Sequence, residues 1–84
     1  IYSVREDFGE VIEAEALETS SLVGKSIREA GLPNGVKIGS IIRADEVIAP
    51  KGETVIETND TIVLFATYDA VKEVEKLFAV RADF

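Results

Sequence analysis

The sequence predicts one small α+β domain: a small mixed or antiparallel β-sheet, with a short helix and a C-terminal amphipathic helix packed on it. The chain has 84 residues, 46% hydrophobic and 30% charged, which is typical of a single globular domain. Short apolar or alternating runs are separated by Gly, Pro and Asn turn signals, which is typical of strands. The last apolar residues are spaced as on a helix. We expect one domain over residues 1–84, with its core at about 10–80.

The first half of the chain predicts a strand and a short helix. Residues 1–9 have no clean period, so we interpret them as a lead-in from an upstream part of a larger protein. Residues 10–17 alternate apolar side chains with glutamates, which favours a strand, although Glu and Ala also favour a helix. Hydroxyl residues at 19–21 can cap a helix over residues 22–30. A loop followed by a helix from Ser26 is the alternative, because Gly24 weakens the start.

The second half predicts a hairpin, a buried strand and a helix. Residues 36–43 are rich in β-branched side chains and are followed by a turn and a return strand at 46–49. Residues 54–57 are a brief extended piece. Residues 61–67 form a near-continuous apolar run, which suggests burial on both faces. Thr67 or Asp69 can cap the start of the final helix, which ends near residues 78–80. Its apolar stripe consists of Ala70, Val71, Val74, Leu77 and Phe78.

Composition excludes several classes of function. Nine basic against 16 acidic residues give a net charge of −7, which argues against a nucleic-acid partner. There is no His and no Cys, so the commonest acid–base catalyst, thiol nucleophiles and Cys/His zinc sites are absent. The acids show no calcium-loop spacing and the glycines no phosphate-binding fingerprint. We therefore expect no enzyme, no catalytic residue and no metal site in this chain.

The basic residues of the middle segment have two interpretations. They could form a patch that receives an anionic ligand through charge-assisted hydrogen bonds. They could equally pair with the excess acids on the surface, where each pair contributes about 0–1 kcal/mol. The sequence favours pairing. The residues concerned are Lys25, Arg28, Lys37, Arg43 and Lys51.

An ordered set of short motifs resembles a known family. The motifs occupy residues 22–27, 32–33, 36–43, 47–52 and 56–65, and their sequences are LVGKSI, LP, VKIGSIIR, VIAPKG and IETNDTIVLF. Together they resemble the C-terminal RCK domain, also called TrkA-C, of TrkA-type potassium-uptake regulators. Each motif is weak alone, and the ordered set spans nearly the whole chain.

The resemblance implies a regulatory role. TrkA-like proteins are cytoplasmic subunits of Trk or Ktr potassium transport systems, on the inner face of the cell membrane through a membrane transporter subunit. Their separate Rossmann-type RCK domains bind NAD(H) or ATP, so no cofactor is expected on this chain itself. Their C-terminal domains form homodimers.

Some relatives bind cyclic di-AMP in the cleft between two C-terminal domains. The matching positions here are Ile27, Val36, Lys37 and Pro50. Those relatives carry an amide side chain where this chain has Lys37, and an arginine near the position of Asn34. Two hypotheses follow: a ligand-sensing dimerisation domain that controls ion flux, and a purely structural dimerisation module of a transporter or antiporter without its own ligand.

Overall fold

Five strands form one antiparallel sheet in the computed structural model, which describes residues 2–78. In chain order the elements are β1 (Tyr2–Arg5), β2 (Gly9–Glu15), β3 (Val36–Arg43), β4 (Glu46–Ile48), β5 (Thr61–Thr67), a 3₁₀ turn (Tyr68–Ala70) and α1 (Val71–Phe78). The spatial order is β1-β2-β5-β3-β4 and every pair is antiparallel. The predicted fold class is confirmed.

One face of the sheet carries the core. Alternate residues of β2 and β5 point to this face, because side chains alternate along a strand. Strand β3, the 3₁₀ turn, helix α1 and the connections at 16–34 and 49–60 contribute the remaining core side chains. The buried hydrophobic residues are Ile12, Ala14, Ala16, Leu22, Val36, Ile41, Ile56, Ile62, Leu64, Ala66, Ala70, Val74 and Phe78.

Helix α1 is amphipathic, as the spacing predicts. Val74 and Phe78 are buried, while Lys72, Glu73 and Lys76 are exposed. The 3₁₀ turn precedes it with Thr67 at its N-cap position, and no side-chain hydrogen bond caps this start. The helix is described to Phe78, and the predicted end at residues 79–80 lies outside the described residues.

The predicted helix over residues 22–30 is wrong. The segment forms successive turns, because the N–H groups of Gly24, Ile27 and Arg28 donate to carbonyls of the facing connection instead of to carbonyls one helical turn earlier. Gly24 donates to the carbonyl of Ile56 at 2.8 Å, and Ile27 donates to that of Thr54 at 2.9 Å. Gly24 also has φ +87°, outside the right-handed helical region. A single helical turn begins at Ser26, where the Ala30 N–H donates to the Ser26 carbonyl at 2.9 Å.

Residues 2–5 form a strand that the sequence analysis missed. β1 is an edge strand, and Ser3, Val4 and Arg5 are all exposed, so no buried face imposes an alternating pattern. The hairpin at 36–48 is confirmed. Its turn residues Ala44 and Asp45 have φ of 49° and 66°, which suits a tight hairpin turn of the primed kind.

The prediction that residues 61–67 are buried on both faces is also wrong. Ile62, Leu64 and Ala66 are buried, but Phe65 on the opposite face is 41% exposed. β5 is central in the sheet, and its apolar run continues onto a face that no helix or second sheet within residues 2–78 covers, with the Phe8 ring packed edge-on against Phe65.

Candidate functional site

A cleft of about 290 Å³ lies beside the first half of β3. Its walls come from the turn after Ser26, the start of β3 and the connection after β4. All four residues expected from the resemblance, Ile27, Val36, Lys37 and Pro50, line this one cleft, together with Leu32, Ile38, Lys51 and Gly52. The structure therefore brings together residues from three separate motifs.

The edge of β3 is free at this cleft. β4 pairs only with residues Ile41–Arg43, so the first half of β3 has β5 on one side and no strand on the other within the described chain. A bulge between Ile38 and Ser40 interrupts the register there, at Gly39. The cleft opens along this unpaired backbone.

A reciprocal cap holds Ile27 in place. The Glu29 carboxylate accepts hydrogen bonds from the Ser26 N–H at 3.1 Å and from the Ser26 hydroxyl at 2.8 Å. The Glu29 N–H in turn donates to Ser26 Oγ at 3.2 Å. This is the capping-box arrangement around a single turn. The Ser26 hydroxyl is the main reason that the pKa of Glu29 lies below its ordinary value.

The connection after β4 forms the opposite wall. The Arg28 N–H donates to the Gly52 carbonyl at 3.0 Å, and Lys51 and Thr54 close a small turn through 3.0 Å bonds. A side chain at residue 52 would collide with the Arg28 guanidinium, so glycine lets that group lie against the backbone. The sequence Pro50-Lys51-Gly52 thus places three features at one rim of the cleft: a rigid proline, a lysine cation and a glycine against which the Arg28 side chain lies.

The rim of the cleft is positively charged. Lys37 and Lys51 line it, and Arg28 lies against its Gly52 wall. None of these three residues takes part in an ion pair among residues 2–78. The prediction that the basic residues pair with acids is therefore correct for Arg43 and, among the described residues, wrong for these three and for Lys25. A chain of net charge −7 thus has three cations at one site that form no ion pair with the described residues, which suits an anionic ligand.

Arg43, at the other end of β3, forms a paired cluster. Its guanidinium donates to both Asp60 oxygens, at 2.8 and 2.7 Å, and contacts Glu57 at 2.8 Å. It also donates to the Val55 carbonyl at 2.9 Å. The Arg43 hydrogen bonds hold the pKa of Asp60 below its ordinary value, and the same bonds raise that of Arg43. This clamp fixes the 55–60 connection to the sheet.

A larger hollow, of about 530 Å³, lies on the other side of Lys37. Phe8, Pro33, Asn34 and Phe65 contribute to its walls, and it opens onto the uncovered sheet face. It contains Asn34, the residue nearest to the arginine expected from the resemblance, and Lys37 lines both this hollow and the cleft. The sequence analysis did not identify this hollow, because Phe8 belongs to the segment interpreted as a lead-in.

Neither a metal site nor a membrane span is evident within residues 2–78. No group of three or more acidic or other ligand side chains there is arranged to hold a metal ion. None of the helices described is long and apolar enough to cross a membrane.

The structure defines a small α+β domain with a cleft at the free edge of β3, and comparison with known proteins identifies its family. The TrkA-C domain model matches residues 11–79, so the chain belongs to the TrkA-C family. This is a family of regulatory domains and not a catalytic one. The suspected resemblance to C-terminal RCK domains is confirmed.

Individual relatives agree with this assignment. The chain is 46% identical over 84 residues to the Trk system potassium uptake protein TrkA of Azorhizobium caulinodans, covering all of this chain and 18% of that protein. The chain thus spans about a fifth of the length of the curated relatives it matches.

Two solved structures are similar in fold and sequence. The RCK_C domain dimer of S. agalactiae BusR in complex with c-di-AMP matches with a TM-score of 0.70 and 28% identity, over 81% of this chain and 88% of that one. The RCK C domain of the potassium transport protein KtrA in complex with c-di-AMP matches with a TM-score of 0.68 and 25% identity, over 79% of each chain.

Proposed function

We propose that this domain is the ligand-sensing dimerisation domain of a cytoplasmic subunit of a Trk- or Ktr-type potassium transport system. The observation that supports it is the convergence of Ile27, Val36, Lys37 and Pro50 on one cleft with a cationic rim. The ligand class is a cyclic dinucleotide, cyclic di-AMP first. Its phosphates would meet the rim cations, and its purines would lie against Ile27 and Pro50.

The size of the cleft favours a ligand shared by two copies of the domain. About 290 Å³ lies just below the range of about 300–1,000 Å³ that is usual for small-molecule sites. A second copy facing the free edge of β3 would supply the missing wall. A homodimer of this kind is isologous, so the same residues contact each half of a two-fold symmetric ligand.

Lys37 changes the chemistry of the site relative to cyclic di-AMP binders, which carry an amide side chain at this position. An ammonium group donates charge-assisted hydrogen bonds to phosphate, which are about twice as strong as neutral ones. It cannot accept a hydrogen bond, as an amide oxygen can. We propose that recognition by this chain depends more on phosphate and less on the edge of the base.

Regulation then follows from differential affinity. A ligand that bridges two copies stabilises the dimer arrangement in which both halves of the cleft fit it. Only the difference in affinity between two arrangements can shift their equilibrium. The shift would reach the membrane transporter subunit through Rossmann-type domains that bind NAD(H) or ATP, in the parts of the parent protein outside this chain.

Calorimetric titration of the 84-residue chain tests the proposal. We expect saturable binding heat with cyclic di-AMP, at one ligand for two chains, and no heat with calcium. Titration with ATP tests whether one adenine and its phosphates suffice for binding. Ile27→Asp should weaken binding at least tenfold, because it replaces the apolar surface under the purine with a charged carboxylate. Val55→Asp, an exposed residue outside the cleft, is the matched control and should bind as the wild type does.

Absence of heat with every ligand would contradict ligand sensing and favour the second candidate, a purely structural dimerisation module. The departures at Lys37 and Asn34 support that candidate. A monomer at high micromolar concentration, both with and without cyclic di-AMP, would contradict both.

A further inference from the structure

The larger hollow, on the other side of Lys37 from the ligand cleft, has the properties of a small-molecule site that the proposed function does not use. Its volume of about 530 Å³ lies within the range of about 300–1,000 Å³ that is usual for such sites. Sites of this kind are lined mainly by apolar side chains, with a few polar groups that orient the ligand. The apolar walls here are Phe8, Leu32, Pro33, Val36, Phe65 and Ala66.

Two aromatic rings form a corner in this hollow. The rings of Phe8 and Phe65 have centroids 6.4 Å apart and planes inclined at 71° to each other. Both side chains are about half exposed, at 50% and 41%. Because the planes are steeply inclined, a third flat ring that stacks on one of them meets the other edge to face, and both arrangements are favourable. The corner therefore suits a planar aromatic ligand better than a flexible chain.

Strand β3 fixes the position of one ring of this corner. The Phe65 ring lies against Gly39, where a Cβ atom would collide with it. Glycine at the bulge of β3 thus lets the ring lie close to the backbone. A ring held in this way is a preformed surface, so little free energy is needed to order it when a ligand binds.

One cation lies beside the corner. Lys37 pairs with Phe65 in the register of β3 and β5, so the two side chains are close neighbours on the same face of the sheet. Among the described residues that line the hollow, Lys37 alone carries a charge. Asp69 is near in sequence but does not line it, and its carboxylate accepts a hydrogen bond from the Thr67 hydroxyl at 2.6 Å. The hollow thus combines an aromatic corner with a single positive charge.

We propose that this hollow binds a small aromatic carboxylate, which is a planar ring system with one anionic group. The ring system stacks in the corner of Phe8 and Phe65, and the carboxylate accepts a charge-assisted hydrogen bond from the Lys37 ammonium. The exposed Asn34 amide, which can both donate and accept, lies on the wall of the hollow for a second polar contact. An aliphatic carboxylate lacks the stacking, and a neutral aromatic compound lacks the ionic contact.

The hollow and the ligand cleft can be tested separately. Lys37 lines both of them. Ile27 and Pro50 line only the cleft, whereas Phe8 and Phe65 line only the hollow. The proposal therefore does not rest on the proposed function, and substitutions at these unshared residues distinguish the two sites.

An NMR titration of the isotope-labelled chain with naphthoate tests the site and the ligand class. We expect saturable shifts of the backbone amide signals of residues 34–37 and 65–67, and none at cleft residues 51–52. Naphthamide, which has the same rings without the charge, and octanoate, which has the charge without a ring, should each bind about fivefold more weakly or worse. The absence of saturable shifts, shifts confined to the cleft, or equal affinity for any two of these compounds would overturn the proposal.

Two variants separate the ring corner from the charge. Phe8→Ser removes one ring at an exposed position before β2 and should weaken naphthoate binding about fivefold or more. Lys37→Met removes the charge and should bring the affinities for naphthoate and naphthamide to within about twofold of each other. Val47→Ser, an exposed apolar residue outside the hollow, is the matched control and should bind as the wild type does.

An unchanged affinity in Phe8→Ser, or a preference for naphthoate that persists in Lys37→Met, would also overturn the proposal. Ile27→Asp, which impairs the ligand cleft, should leave naphthoate binding unchanged, so the two proposals fail separately.

Discussion

The cations at the two ends of β3 lie in opposite environments. At the C-terminal end, Arg43 is hydrogen-bonded to Asp60, which is only 1% exposed, and to the Val55 carbonyl. At the N-terminal end, Lys37 is exposed and lies between a cleft and a hollow. A planar guanidinium with a fixed fork suits a permanent pair, whereas a lysine on a flexible stem suits a ligand that arrives and leaves. The comparison separates a residue that stabilises the fold from one that is free to bind.

The largest expected effect is the loss of the Arg43 clamp. Arg43→Ala leaves the Asp60 carboxylate without its partner at a buried position. Because the guanidinium is 30% exposed, we expect less than a fully buried pair would lose, about 2–3 kcal/mol of unfolding free energy. Urea denaturation measures it. Lys76→Ala, which removes the exposed pair with Glu73, is the control and should cost at most about 0.5 kcal/mol. Similar losses in the two variants would show that the clamp is an ordinary surface pair.

The clamp should also make stability sensitive to acid. The pKa of Asp60 in the folded chain lies below its ordinary value of 3.8, so the folded state holds the ionised form more strongly than the unfolded state does. This contribution is complete above the ordinary pKa and is lost as the pH falls through the lower, folded value. The melting temperature of the wild type should therefore fall more steeply below about pH 4 than that of Asp60→Asn. Parallel curves for the two proteins would contradict this assignment.

The comparison also shows what the sequence alone could reveal. Hydrophobic alternation and β-branched runs predicted β2, β3, β5 and α1, because a half-buried element imposes its own period. These patterns could not predict β1, whose residues 3–5 are all exposed, or the turns at 22–30, several of whose hydrogen bonds go to residues 52–56 in another part of the chain. The four cleft residues came from the motifs of the resemblance. That Arg43 pairs with an acid was expected, but its partner Asp60 was not identified, because a pairing 17 positions apart leaves no local signal.

A smaller loss of stability is expected when the capping box that fixes one wall of the cleft is removed. Ser26→Ala removes the hydroxyl that binds Glu29 in the capping box, and loss of such a cap typically costs about 1 kcal/mol. Thermal unfolding measures the change. Ser21→Ala, an exposed serine without a side-chain hydrogen bond to the described residues, is the control and should change little. Ligand affinity should fall with Ser26→Ala as well, since Ile27 follows the capped residue. An unchanged affinity would show that this turn is not needed to position Ile27.

The smallest effect on stability is expected at Lys37, where the comparison is sharpest. Lys37→Ala removes an exposed cation that has no ion-pair partner in the described part of the chain, so the unfolding free energy should stay within about 0.5 kcal/mol of the wild type. Affinity for cyclic di-AMP should nevertheless fall about tenfold, because a charge-assisted hydrogen bond to phosphate contributes on the order of 1.5–3 kcal/mol and this rim is open to water. Calorimetry and urea denaturation of the same preparation measure both quantities. Lys72→Ala, an exposed lysine on α1, is the control for charge alone. If Lys37→Ala destabilises the fold as Arg43→Ala does, both ends of β3 are structural and the contrast between them fails.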